Sequence, residues 1–502
     1  MTVKNIQAQP GQKVLTSDTI NNHVKNVEYA VRGRIAIRAE EIRDDLAKGS
    51  ETNKYAFDTV VNCNIGNPQQ LNQKPITFFR QVASLCEYPD LLTEEKSALV
   101  SQLYPSDAIA RAKRLLKDIG PSIGAYSHSQ GVPAIRQTVA NFLEQRDKTG
   151  QPANSNHIYL TQGASSGVQT LLTLLTQHSN SGIMIPIPQY PLYSATLSSV
   201  GATPVPYYLE EEKGWSLDVQ QLTTIVKESR EKKGIDVRAL VIINPGNPTG
   251  QCLTQDNLTD ILTFCYEHQL VLLADEVYQT NIYNQEERPF ISFRKALLQH
   301  PRSDVKNHVE LVSFHSISKG MVGECGRRGG YFECINLEQS VLDQIYKLAS
   351  VNLCPNIHGQ ILVDLMCHPP QPNDPSYTTY QQEIDTIYQS LKRRSQLLEN
   401  AFNAMEGVSC QPAQGSMYLF PRIRLPSKAI EEAKKLKLAP DAFYSEQMLE
   451  ATGVCVVAGS GFGQVEGTYH FRSTFLPEEH LFDTFCSNIK AFHAEFLKKY
   501  QD

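Results

Sequence analysis

From about residue 130 the chain alternates short apolar runs with longer segments of helical period. The runs are "HIYLTQ" (157–162), "GIMIPIP" (182–188), "TPVPYYL" (203–209), "RALVIINP" (238–245), "LVLLADEVY" (270–278), "VELVSFHS" (309–316) and "GGYFEC" (329–334). Short apolar runs bounded by turn residues and separated by helices predict strands buried on both faces of a mostly parallel sheet. Upstream, residues 25–50 read as a charged helix ending at Gly49. The Pro-rich stretch "HPPQPNDPSY" (368–377) reads as a linker, and "YQQEIDTIYQSLKRRSQLLENAFNAM" (380–405) as a long charged helix leading into a mixed tail. The expected organisation is an arm and helix over 1–55 and a connecting segment over 56–129. A large α/β domain with a seven-stranded sheet between helices follows over 130–367, and a smaller α+β domain over 368–502.

Composition narrows the class. A chain of 502 residues exceeds one ordinary core. With 47 basic against 53 acidic side chains the formal charge is −6, which offers no bulk attraction to nucleic acid or an anionic membrane. No apolar stretch approaches the roughly 20 residues that span a bilayer. The 11 cysteines lack a C-x-x-C pair and read as reduced thiols, and the 13 histidines lack metal-ligand spacing, so no metal is expected. Residues 1–17 have neither an apolar core nor the arginines of an organellar leader, so the expected compartment is the cytosol, with mitochondria second.

Ligands of open α/β sheets sit at the carboxyl ends of strands, and those ends carry unusual residues here. In "YLTQGASSG", Ala164 and Ser165 place backbone N–H groups at a helix start, suited to a phosphate; a tight turn that binds nothing has the same sequence. In "IPIPQYPLYSAT", Tyr190 stands between prolines, either as a stacking ring or as core. Asn247 lies in the Pro/Gly loop "INPGNPTG", which is also ordinary turn composition. Asp275 ends an apolar strand, where a carboxylate needs a cation or serves as a helix cap. In "SFHSISKGMVGECGRRGGY", Lys319 follows Ser316 and precedes the tandem Arg327 and Arg328.

Each feature has a bland reading alone; in this order they match the needs of pyridoxal phosphate. The aldehyde needs an amine, supplied by Lys319, and the pyridine nitrogen needs an acidic partner, Asp275. At an effective dielectric of about 20 and a separation of about 4 Å that pairing contributes about 4 kcal/mol. Ser316 and Arg328 can reach the phosphate from the lysine's own turn. "GSGFGQVEG" (459–467) imitates a dinucleotide loop, but its spacing is wrong and it reads as a turn.

The chain resembles the class I, fold-type I pyridoxal phosphate aminotransferases, and most closely their alanine-type branch. The resemblance runs from about Asn26 onward. It is carried by "EYAVRG", "NIGNPQQL", "IGAYSHSQGVPAIR", "INPGNPTG", "SISKGMVGECGRRGGY", "SMYLFPRI" and "YHFRSTFLP". It implies Lys319 as the Schiff-base lysine, Asp275 at the pyridinium, Tyr190 on the ring, and Asn247 and Tyr278 at the phenolic oxygen. It further implies Ala164, Ser165, Ser316 and Arg328 at the phosphate, and Arg472 with Gly66 and Asn247 at the substrate carboxylate. Tyr126 would reach the phosphate of a neighbouring subunit, making the working unit a homodimer. The implied activity is ping-pong transfer of an amino group between small amino acids and 2-oxo acids, with L-alanine and 2-oxoglutarate the expected pair. A glutamate:glyoxylate enzyme, a carbon–sulfur lyase and a non-enzymatic regulator on the same fold are the alternatives. The last would want a basic DNA-binding domain, and residues 1–66 hold no convincing helix-turn-helix.

Overall fold

A computed structural model of the chain describes residues 13–48 and 54–501. Each apolar run contains a strand: β1 (Ile158–Thr161), β2 (Ser181–Ile187), β3 (Thr203–Tyr208), β4 (Asp236–Ile243), β5 (Val271–Asp275), β6 (Leu311–Ser316) and β7 (Gly330–Ile335). They form one sheet in the order β1-β7-β6-β5-β4-β2-β3. β7 runs antiparallel to both its neighbours and every other pairing is parallel. Along β4, Ala239, Val241 and Ile243 enter one apolar core while Leu240 and Ile242 enter another. Burial on both faces is why the run reads as continuous rather than alternating. The exposed Pro204 and Pro206 sit on β3, an edge strand that can spare ladder donors.

Helix α1 (Ala164–Leu175) and the helices Leu192–Val200 and Gln339–Val351 cover one face of this sheet. Val219–Glu231 and Gln255–His268 cover the other beside β4, with Pro133–Asp147 and Ile357–Cys367 beside β1 and β7. Beyond the turns at 368–376, helix α2 (Tyr377–Asn403) leads into a second core. That region holds an antiparallel sheet of β8 (Tyr418–Leu419), β9 (Val457–Ala458) and β10 (Phe471–Thr474), in the order β8-β10-β9. The N-terminal segment joins it: Val61–Asn62 pairs in parallel with Val454–Cys455, and Thr474 N–H donates to the Cys63 carbonyl at 3.0 Å. No described helix is long and apolar enough to cross a membrane.

Two helix boundaries differ from expectation. The stretch read as one helix over 25–50 breaks into Asn22–Lys25, a single turn at Ala30–Arg32 and Arg34–Ala47, with extended Gly33 as the cap of the last. A tertiary contact competes here with the helical pattern: Tyr29 is drawn out to meet Tyr190, hydroxyl to hydroxyl, at 2.6 Å. Gly49, the expected helix end, and residues 1–12 lie outside the described residues. α2 starts at Tyr377 rather than 380 because Asp107 holds Ser376, just after Pro375, through its N–H (3.2 Å) and Oγ (2.9 Å).

Candidate active site

The carboxyl ends of β5 and β6, the start of α1 and the strand β10 converge. Asp275 is the last residue of β5 and is buried. Tyr193 Oη donates to its Oδ2 at 2.8 Å and the Val277 N–H to its Oδ1 at 3.4 Å. Burial pushes its carboxyl up from the usual range, while the Tyr193 and Val277 hydrogen bonds and the Lys319 charge pull it back. No cation lies within ion-pair distance among the described residues, so the carboxylate is held in place without being neutralised.

Lys319 follows β6. Its Nζ donates to the Gly66 carbonyl at 2.8 Å and lies 5.9 Å from the centre of the Tyr278 ring. The approach needs glycine at 66: a β-carbon there would stand 2.1 Å from Tyr418 Oη and 3.1 Å from Lys319 Nζ. Ser316 ends β6, its Oγ within hydrogen-bond distance of Ser318 Oγ (3.1 Å) and of the Gly329 carbonyl (3.2 Å).

α1 starts at Ala164 behind Gly163, whose φ of +79° suits glycine, and no side chain caps its first N–H groups. Ala164 and Ser165 therefore present amide hydrogens with no helical acceptor. Arg328 lies against this start: a β-carbon on Gly163 would come within 2.6 Å of its Nη2. Its guanidinium is held by the carbonyls of Cys325 (2.9 Å) and Gln162 (3.0 Å), so the cation and the helix dipole point at one spot. Arg327 is exposed. The two arginines thus part company, with Arg328 turned to the site.

Arg472 lies on β10 and is 0% exposed. Its guanidinium sits 4.1 Å from the Tyr418 ring centre and 4.7 Å from that of Phe462. Nη1 donates to Asn247 Oδ1 at 3.0 Å and Nη2 to the Asn64 carbonyl. Nε has no partner, and no carboxylate lies within 4.0 Å among the described residues. A buried cation without a counter-ion is costly unless a ligand supplies one. Asn247 Nδ2 also donates to Tyr278 Oη at 3.1 Å, so one amide joins the arginine to the phenol. Tyr190 is half-buried against Tyr29. Tyr126 is 78% exposed and lies on a surface loop.

Five neighbours went unread in the sequence. Tyr193 is the second aromatic of "YPLY", Tyr418 the one of "SMYLF", Tyr29 that of "EYAVRG"; Asn64 acts through its carbonyl and Phe462 lies in the turn that mimicked a dinucleotide loop. Together the groups can hold an anion at the α1 start, a cationic ring edge at Asp275, a carbonyl carbon at Lys319 and a second carboxylate at Arg472.

Comparison with known proteins accords with this geometry. Residues 94–489 match the family described as Aminotransferase class I and II. The chain is 52% identical over 501 residues to the probable mitochondrial alanine aminotransferase of Dictyostelium discoideum, covering 99% of this chain and 92% of that one. It is 47% identical over 504 residues to a protein of Saccharomyces cerevisiae named inactive alanine aminotransferase, covering 100% and 97%. The fold matches that of the Pyrococcus furiosus alanine aminotransferase with a TM-score of 0.71 at 22% identity, covering 95% of this chain and 100% of that one. The chain belongs to the class I and II aminotransferases.

Proposed function

We propose that the chain binds pyridoxal 5'-phosphate and transfers the amino group of L-alanine to 2-oxoglutarate, giving pyruvate and L-glutamate. The observation that carries this reading is Arg472, a fully buried cation with an unpartnered Nε and no carboxylate within 4.0 Å among the described residues, stacked on the ring of Tyr418, whose hydroxyl faces Gly66 beside Lys319. Both substrates bring the α-carboxylate it lacks. A relative in S. cerevisiae is named inactive, so the reading rests on Lys319, Asp275 and Arg472 and not on similarity alone.

When bound, the cofactor supplies an electrophilic carbon and a conjugated ring able to take up the electron pair left at the substrate Cα. The chain does the rest. Asp275 keeps a negative charge where the ring nitrogen would lie, and Tyr193 fixes its orientation. Ser316, Arg328 and the α1 N–H groups would hold the phosphate end, and Tyr190 would lie on the ring. Lys319 anchors the cofactor and, once freed, moves the Cα proton. Arg472 fixes the carboxylate and thereby which substrate bond faces Lys319, with Asn247 and Asn64 fixing Arg472 in turn.

The reading extends to a homodimer. Around the exposed Tyr126 loop, His128 packs on Tyr346 at 5.6 Å and Ser129 Oγ donates to the Leu353 carbonyl. Val351 (79% exposed), Leu353 and Tyr346 leave apolar surface there suited to a second copy.

The test is purified protein with pyridoxal 5'-phosphate, L-alanine and 2-oxoglutarate, following pyruvate, with glyoxylate as an alternative acceptor. Pyruvate formation that disappears in Lys319→Ala is expected. No pyruvate from cofactor-loaded wild type overturns the proposal, and faster turnover with glyoxylate reassigns the acceptor.

A further inference from the structure

Tyr418 is a fully buried phenol whose hydroxyl has no evident packing duty. Its ring stacks on Arg472, but Phe462 stacks on the same guanidinium without a hydroxyl, so stacking does not call for one. The pairing of β8 with β10, Tyr418 opposite Thr474, is made by backbone. The oxygen instead lies over Gly66, flanking with Lys319 Nζ the point where a β-carbon would stand, and accepts from Tyr278 Oη at 3.4 Å.

We propose that Tyr418 is the proton partner of Lys319: the phenol oxygen and the amine stand on the same side of Gly66, and one proton passes from the ammonium to the phenolate oxygen when Lys319 must act as a free base. The step balances, since one N–H bond breaks as one O–H bond forms and the pair's total charge is unchanged. Tyr418 is thus a positioning residue, setting where Lys319's proton resides. The inference rests on the reading of Lys319 as the reacting amine.

The surroundings suit a phenolate. The ionisable groups acting on Tyr418 are Lys319, Arg472, Tyr278, Cys325 and Tyr190, and Asp275 acts on Lys319 from the β5 side. Burial pushes the phenol up, but the Lys319 and Arg472 charges with the Tyr278 hydrogen bond outweigh it and hold the group below the usual phenol range. Tyr190 and Tyr278, the two phenols it acts on, are both pushed the other way.

The experiment needs no turnover, so its failure is separate from failure of the proposed activity. Full-length protein freed of cofactor is titrated by tyrosinate absorbance, and Lys319 acylation by an amine reagent is followed by peptide mass against pH. In wild type one tyrosine ionises below the ordinary phenol range. Tyr418→Phe, which keeps the ring on Arg472, loses that signal, and its Lys319 acylation midpoint falls by about one unit, giving roughly tenfold faster labelling at neutral pH. Lys319→Ala keeps the tyrosine but moves its ionisation upward. In cofactor-loaded protein the pH midpoint of the bound-cofactor absorbance also falls in Tyr418→Phe. Unmoved lysine and cofactor midpoints in a folded Tyr418→Phe, or an unmoved tyrosine in Lys319→Ala, overturn the pairing.

Discussion

Replacing Arg472 by alanine removes a buried cation placed to receive a carboxylate, and its effect can be sized from its contacts. Two of the guanidinium's nitrogens are engaged, Nη1 with Asn247 Oδ1 at 3.0 Å and Nη2 with the Asn64 carbonyl, while Nε is unpartnered. A substrate carboxylate adds charge-assisted hydrogen bonds of about 1.5–3 kcal/mol to a guanidinium already buried from solvent. Amino-acid binding should therefore weaken by roughly 10- to 100-fold, at about 1.4 kcal/mol per tenfold. Arg472→Lys keeps the charge but cannot reproduce the planar fork between two rings, so it should recover only part of the loss. The assay is titration of the bound cofactor's absorbance with L-alanine in the absence of a 2-oxo acid, beside a separate cofactor titration and a thermal melt. Cofactor affinity should hold within about threefold, because the hydrogen bonds of Arg472 go to Asn247 and the Asn64 carbonyl, away from the α1 start and Asp275. If cofactor affinity collapses while L-alanine binding holds, Arg472 is not the carboxylate clamp, and its role and that of Arg328 are exchanged.

Three further perturbations test neighbouring parts. Gly66→Ala puts a β-carbon 2.1 Å from Tyr418 Oη, and Tyr418 is too buried to yield; kcat should fall at least about 100-fold with a stability loss of about 1–3 kcal/mol, and near-normal kcat would refute the geometry. Tyr193→Phe removes a hydrogen bond to the Asp275 carboxylate, so cofactor should bind roughly tenfold more weakly in a fluorescence titration; unchanged affinity would assign Tyr193 to packing alone. Mixing Lys319→Ala chains with Tyr126→Ala chains should restore activity, because the mixed dimer has one site with its own lysine and the partner's tyrosine. No recovery in heterodimers verified by mass would place Tyr126 in its own subunit's site or in none.

The sequence disclosed what depends on pattern and order. The strands were legible because runs buried on both faces have no polar alternation to confuse them, and Asp275 and Lys319 because strand ends are where a charge has reason to stand. Long-range apposition was not legible. Gly66 and Tyr418 are separated by most of the chain, and the pairings of β8 with β10 and of Val61–Asn62 with Val454–Cys455, with the Thr474 N–H on the Cys63 carbonyl, bring them together. Asn64 contributes a carbonyl, which no side-chain pattern records. The helix expected over 25–50 failed for the same reason, since a single hydroxyl pair made 161 residues away outweighs local periodicity. The expected cytosolic compartment stands beside a relative named mitochondrial, and fractionation of the expressed protein decides it.

The far face of the sheet explains why the charge of Asp275 is available to a ligand. Directly behind it, Glu276 and His315 turn into a buried cluster with Arg146, Asp147, Arg294 and Glu333. The arginines there are matched by carboxylates, Arg146 to Asp147 at 2.7 Å and Arg294 to Glu333 at 3.2 Å. Burial pushes Glu276 up to about 8 and His315 down to about 3, so at neutral pH the glutamate is mostly protonated and the histidine is neutral. The rear of the site is thereby matched pair by pair and group by group. Had Glu276 been ionised, two adjacent carboxylates would repel across the end of β5 and drive Asp275 toward its protonated form; had His315 been charged, it would have drawn the field of Asp275 backward. With both silent, the charges acting on Asp275 come from the ligand side, where Lys319 stands.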